Sequence, residues 1–287
     1  IIKDILFLAL SVIISLLMVS DPYYDIYKFQ NESNRGAISV LDQTDDTKKG
    51  TTWDYATQWS FHPLETISFI YPYYYGLQNF SVKNKSEPRK FMKQASYWGY
   101  MPFTQSTHYL GLLIVILSFF GLWYYFKYKE QNITEVILWT ISFIILVIGF
   151  GSHLPLFYKP LFEYAPFFSK FRVPSMIYMM LSITMPMIAA ISIDKIINEK
   201  YKKEIFSNSL KVFGVFIFSS VILFLFGENL LSFSGTGDYR FTHYLEVVKN
   251  LRLELFNKGI LLVLSICFGA LTIIFLYSKN KISKERF

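Results

Sequence analysis

The sequence is poor in charge: Asp, Glu, Lys and Arg make up 17% of its 287 residues, against roughly 25% in soluble globular domains. That scarcity excludes a disordered chain or a nucleic-acid-binding tail and argues against a soluble enzyme. Cysteine is nearly absent too. Cys267 is the single one and lies inside an apolar run, so no disulfide framework can form. The four histidines are scattered without metal-ligand spacing, which makes a zinc site a poor expectation. No internal repeat, heptad or low-complexity tract stands out. What the chain has instead is apolar surface, with 53% hydrophobic residues and a mean hydropathy of +0.33. Its net charge of +7 therefore raises a question of sidedness before one of anionic partners.

Apolar runs fall at about residues 5–20, 108–126, 133–150, 173–193, 212–226 and 259–277, and a hydrocarbon core needs roughly 17–25 residues of helix. The runs are continuous rather than alternating, so they read as helices and not as barrel strands. The expectation is an all-α, polytopic integral membrane protein with about six transmembrane helices, residues 1–287 forming part of one membrane domain. Pro186 between two methionines predicts a kink in the fourth span. The chain begins at Ile1, opens almost at once into an apolar run and closes on a basic tail, and reads as a piece of a longer protein. Its first helix is not a cleavable signal, because no small-residue cleavage site follows it.

Orientation follows from Lys and Arg in the short loops. With the N-terminus inside, the inner segments hold 12 basic residues in 38 positions, and the short outer loops, 151–172 and 227–258, hold 7 in 54. The density places the N-terminus in the cytoplasm and segment 21–107 outside. That long segment carries nine basic and nine acidic residues. Its first part, to Gly50, reads as an exposed polar loop. Its middle, Trp59 to Gly76, and the outer loop Leu154 to Arg172 are broken by proline and packed with aromatics, which predicts short helices at the membrane surface.

No Lys, Arg or Asp falls inside the six runs, and their one acidic residue is Glu135 in the first turn of the third. A proton- or ion-moving transporter is expected to carry ionisable groups at the midplane. Polar groups gather instead on the outer side: Asp54, His62, Glu65, His108, His153, Glu163, Arg172, and the loop Gly235 to Arg240 ending near His243. Glu65, three residues after His62, fits a general base or a metal ligand on a shared helix face, or more plainly an interfacial hydrogen-bonding pair. Arg172, opening the fourth span, fits a bidentate contact to a lipid phosphate or ordinary snorkelling to headgroups. Asp45-Asp46 reads as solvated, and Gly235-x-Gly237, with no strand before it, is a poor nucleotide loop. Asn31, Asn79 and Asn84 head N-x-S triplets of the kind expected by chance. No cofactor is evident, and a divalent metal stays open.

Three blocks carry a resemblance. Tyr55-Ala56-Thr57-Gln58-Trp59-Ser60 with Pro63-Leu64-Glu65-Thr66, then Tyr97-Trp98-Gly99-Tyr100-Met101-Pro102-Phe103-Thr104, then Phe168-Ser169-Lys170-Phe171-Arg172-Val173-Pro174-Ser175-Met176 resemble the signature blocks of bacterial YfhO-type membrane proteins. Order and spacing match over roughly residues 50–195. The family is similar to the GT-C integral membrane glycosyltransferases, which take sugar from a polyprenyl-phosphate donor outside the cytoplasmic membrane. The resemblance implies a bacterial inner-membrane location, with polyprenyl-phosphate-linked sugar, membrane lipid and a cell-envelope glycan acceptor as partners and no nucleic acid. It makes Arg172 the lipid-phosphate contact, and it leaves Glu65, His62 and Trp98 as outer-surface candidates without an assigned role. GT-C enzymes keep their catalytic acid in the first outer loop, so it is expected outside this chain. Two alternatives remain: a non-enzymatic flippase or export component for lipid-linked glycans, and a structural membrane partner.

Overall fold

Long apolar runs bounded by Asn, Gly and Pro leave the backbone one economical way to satisfy itself, and helices accordingly dominate the chain. A computed structural model describes residues 2–29, 52–77, 80–83, 91–94, 96–101, 108–129, 132–166, 168–197, 202–241 and 245–282. Asp45, Asp46, Asn31, Asn79, Asn84, His243 and the last residues of the second matched block (Pro102, Phe103 and Thr104) lie outside them. Two compact units divide the chain: Ile1–Gln58 with Lys159–Val173, and Trp59–Tyr158 with Pro174–Phe287.

In the first unit, α1 (Ile2–Met18) is followed directly by α2 (Ser20–Phe29), at an angle of 61°. Pro22 explains the break, because its ring would clash with the carbonyl of Met18 four residues earlier. Residues 21–29 are thus helical where a polar loop was expected. The short helix α3 (Trp53–Thr57) packs against the 3-10 turn Phe168–Lys170.

The second unit is a helical bundle. It contains α4 (Leu112–Tyr128), α5 (Ile133–Gly149), α7 (Leu181–Ile197, preceded by a 3-10 stretch Pro174–Met180), α8 (Lys202–Leu230) and α9 (Leu245–Ser278). The intervening α6 is Pro155–Tyr164. α8 packs along α9, α4 along α7, and α5 against α7. Local chemistry sets several ends. Asn132 caps α5 by accepting the N–H groups of Thr134 and Glu135, and α4 ends on Lys129 in the left-handed region. A small antiparallel hairpin, β1 (Phe80–Lys83) with β2 (Phe91–Gln94), pairs Phe80 with Gln94 and Lys83 with Phe91. It is an addition to the expected all-helical fold.

Among the described residues, three helical stretches are long and apolar enough to cross a membrane: Pro174–Ile197, Glu204–Leu230 and Leu245–Ser278. The bent pair Ala9–Met18 and Ser20–Phe29 makes a fourth when counted as one span, while Leu112–Tyr128 and Ile133–Gly149 are apolar but shorter. The runs 212–226 and 259–277 are interior portions of longer helices, and residues 245–258, read from sequence as outer loop, form the first turns of α9.

The aromatic segment after Trp59 packs into the core of the second unit. The 3-10 helix Pro63–Phe69 begins it, and Tyr71, Tyr74 and Tyr75 are buried in one core cluster with Phe120 of α4, Phe213 of α8 and Val263 of α9. The Tyr71 hydroxyl lies 3.0 Å from Ser219 Oγ and 2.9 Å from Ser220 Oγ in α8. A tyrosine can enter an apolar core in this way when its hydroxyl has a partner. Gly76 closes the segment with φ +77°, and a Cβ there would fall 2.3 Å from the Ser96 carbonyl oxygen, so only glycine fits the turn.

Candidate functional site

The matched blocks, far apart in sequence, meet pairwise inside each unit. In the first unit, Arg172 lies on Tyr55: its Nη1 donates to the Tyr55 hydroxyl at 2.7 Å, and the guanidinium carbon sits 4.1 Å from the ring centroid. A planar guanidinium suits such a face, and stacking fixes the plane of its N–H fork. The backbone ties the same blocks together, Val173 N–H donating to Ala56 O at 3.2 Å. Trp53 meets Phe162 edge-on at 5.4 Å, and Phe171, next to the arginine, is exposed. Val173 carries φ +64°, an uncommon conformation for a β-branched residue that costs energy and persists only when its surroundings impose it. Val173 follows Arg172 directly.

In the second unit, Glu65 is fully buried, which corrects its reading as an outer-surface group. Its Oε2 accepts from the Tyr97 hydroxyl at 2.9 Å and its Oε1 from the Tyr100 N–H at 2.7 Å. The Tyr97 hydroxyl in turn accepts from Met101 N–H at 3.2 Å. Burial pushes the Glu65 carboxyl above the ordinary range, and the hydrogen bonds from Tyr100, Tyr97 and Met101 only partly oppose it. With no access to solvent, Glu65 acts on its neighbours: it fixes the backbone of the second block.

His62 begins the 3-10 helix, its Nδ1 accepting the Leu64 N–H at 3.2 Å. That bond leaves the neutral ring's proton on Nε2. The imidazole stacks on Tyr100 at 3.9 Å and meets the exposed His153 edge-on at 4.8 Å. Burial lowers the pKa of His62. It also lowers that of His153, where the neighbouring His62 adds to the effect. His62 and Glu65 share a turn without an interaction of the kind expected of an acid–base pair. Among the described residues, no three His, Cys, Asp or Glu side chains gather as metal ligands.

Trp98 is partly buried rather than presented outward. Its ring packs on Tyr75 at 4.8 Å and Phe233 at 5.6 Å, and its buried Nε1–H has no acceptor among the described residues. Gly235 lies directly on its backbone, where a Cβ would come within 2.8 Å of Trp98 Cα. The glycine of the Gly235-x-Gly237 loop is therefore a packing residue.

Beneath this block sits a residue that sequence reasoning passed over. Arg252, with a side chain 0% exposed, donates Nε–H to Ser96 O, Nη1–H to Phe233 O and Asp238 Oδ2, and Nη2–H to Asp238 Oδ1 and Tyr97 O. Burial works to raise the Asp238 pKa, but the Arg252 guanidinium and the Gly235 N–H outweigh it and hold the carboxyl below its usual value. A signal was available. Val248, Leu251, Leu255, Phe256 and Gly259 line the same helical face, and Arg252 falls in phase with them.

No family model, no curated protein and no solved structure matches this chain.

Proposed function

We propose that the chain is part of a YfhO-type, GT-C-like glycosyltransferase of the bacterial cytoplasmic membrane, crossing the bilayer about six times with its N-terminus cytoplasmic. On this reading the shorter helices α4 and α5 also cross, and the short aromatic helices outside them lie toward the membrane surface. The reaction joins an acceptor hydroxyl to the anomeric carbon as the bond to polyprenyl phosphate breaks. The hydroxyl proton goes to a base assigned to no residue of this chain, and the departing phosphate carries the negative charge. Arg172 stabilises that charge.

The observation that carries this reading is the seating of Arg172 on Tyr55. Two blocks of the resemblance meet there at a cation, beside the exposed apolar Phe171. A lipid phosphate presents the matching combination of charge and hydrocarbon. Arg172→Ala is expected to weaken binding of a short-chain polyprenyl phosphate about tenfold or more, since hydrogen bonds to charged groups are each worth about 1.5–3 kcal/mol. It should also lower sugar transfer in membranes carrying the intact protein. Normal turnover in that variant would remove the proposal.

The flippase reading keeps the same lipid and drops the transfer step. One observation favours it: Lys195 and Glu135 form a buried ion pair inside the bundle, where the sequence runs had shown no cation. α7 extends past residue 193 to Ile197, and the lysine enters with it. Loss of lipid movement without loss of sugar transfer in Lys195→Met would favour this second reading.

A further inference from the structure

We propose that Tyr100 is a platform for a sugar ring, which stacks on the face of the phenol opposite the one that His62 covers. The identity of the ligand rests on the glycosyltransferase reading, and its place rests on geometry. Tyr100 is 45% exposed although its backbone is fixed by the buried Glu65 through the 2.7 Å bond to Oε1. One face of its ring is backed by His62 at 3.9 Å, and Tyr75 meets it edge-on at 6.2 Å. An exposed aromatic ring held from behind and through its backbone has little freedom to lose on binding.

The chemistry around it selects the ligand class. The electron-rich face of a phenol attracts the C–H bonds on the apolar face of a pyranose. His62, with its Nδ1 held by Leu64 N–H, fills the rear face of the ring and is itself met edge-on by the exposed His153 at 4.8 Å. Burial lowers the pKa of both imidazoles, so this corner provides no fixed positive charge for a phosphate. A neutral sugar ring therefore suits this face better than an anionic group. Glu65 is a positioning residue for this platform, which accounts for a buried carboxylate in a matched block.

The test uses the chain in lipid nanodiscs with neutral trisaccharides of glucose, galactose and N-acetylglucosamine, followed by saturation-transfer NMR and titration. Transfer to at least one of them is expected, concentrated on one face of a sugar ring. Tyr100→Trp should retain binding, while Tyr100→Ala and the bulk-preserving Tyr100→Leu should each lose tenfold or more with unchanged helical circular dichroism and melting. Absence of transfer from all three sugars, or equal transfer in Tyr100→Leu, overturns the platform. Arg172→Ala separates the two proposals. Trisaccharide binding that depends on Tyr100, alongside polyprenyl-phosphate binding indifferent to Arg172, supports the platform and overturns the glycosyltransferase reading. Phosphate binding that needs Arg172, alongside trisaccharide binding indifferent to Tyr100, does the reverse.

Discussion

Among the described residues, two cations are buried in the helical bundle, and their surroundings differ. Arg252 directs N–H groups to three backbone carbonyls and both oxygens of Asp238. Lys195 has Glu135 Oε2 at 2.5 Å and only a long contact of 3.5 Å to Gly121 O. Glu135 Oε1 is buried with no hydrogen-bond partner among the described residues. A desolvated pair repays its burial only when the remaining lone pairs and protons are also satisfied. The first pair meets that condition and fixes loops. The second does not, and it lies where α4, α5 and α7 meet.

The largest expected effect follows from removing the better-satisfied cation. Arg252→Met strands the Asp238 carboxylate and the carbonyls of Ser96, Tyr97 and Phe233 at once, and should cost about 3–5 kcal/mol of stability. Denaturant titration of the detergent-solubilised chain would measure it. Arg252→Lys should recover little, since an ammonium cannot reproduce a planar fork. A loss under 1 kcal/mol for Arg252→Met would erase the distinction between the two pairs.

The second pair should respond differently to double than to single replacement. Lys195→Met alone leaves Glu135 buried and is expected to cost about 3 kcal/mol, whereas Glu135→Leu with Lys195→Met should lie within about 1 kcal/mol of the parent. A double variant as damaged as the single one would mean that the pair specifies the helix packing. Gly121→Ala probes the same junction with a smaller effect. Its Cβ would fall 2.1 Å from Ser192 Oγ and 2.9 Å from Glu135 Oε1, and overpacking of this kind costs roughly 1–3 kcal/mol. Ser192→Ala in the same chain should return part of that loss.

The contrast also marks how far the sequence could be read. Apolar runs located the helices, because lipid-compatible segments must satisfy their own backbone. They misjudged the ends, because α8 and α9 continue through charged residues such as Lys211 and Glu254 that hydropathy alone assigns to loops. The resemblance singled out Arg172, and Glu65, picked from its own segment, falls in a matched block; both lie where separate blocks touch. What could not be read was depth: Glu65 and Tyr71 sit in segments whose prolines and tyrosines suit a surface equally well, and only tertiary partners decide burial. Arg252 was hidden for a related reason. A charge in a leucine-rich helix looks solvent-facing until its phase is counted against the buried positions around it.

Acid offers the finest probe of the Arg252–Asp238 pair. The Asp238 carboxyl is held below its ordinary value of 3.8, the pull of Arg252 and Gly235 exceeding the cost of burial. The unfolded chain therefore takes up this proton more readily than the folded one, so stability rises with pH across the window and falls as pH drops from 3.8 through the lower folded value. The contribution is fully present above that window. Unfolding midpoints collected from pH 5 downward should show this loss in the parent and a shallower slope in Asp238→Asn, which keeps a carbonyl for the guanidinium but cannot titrate. Arg252→Met should be shallower as well, because without the guanidinium the carboxyl returns toward, or above, its ordinary value. Parallel slopes in all three chains would show that the fork between Arg252 and Asp238 contributes shape without differential charge, and the contrast with Glu135 and Lys195 would then rest on hydrogen-bond satisfaction alone.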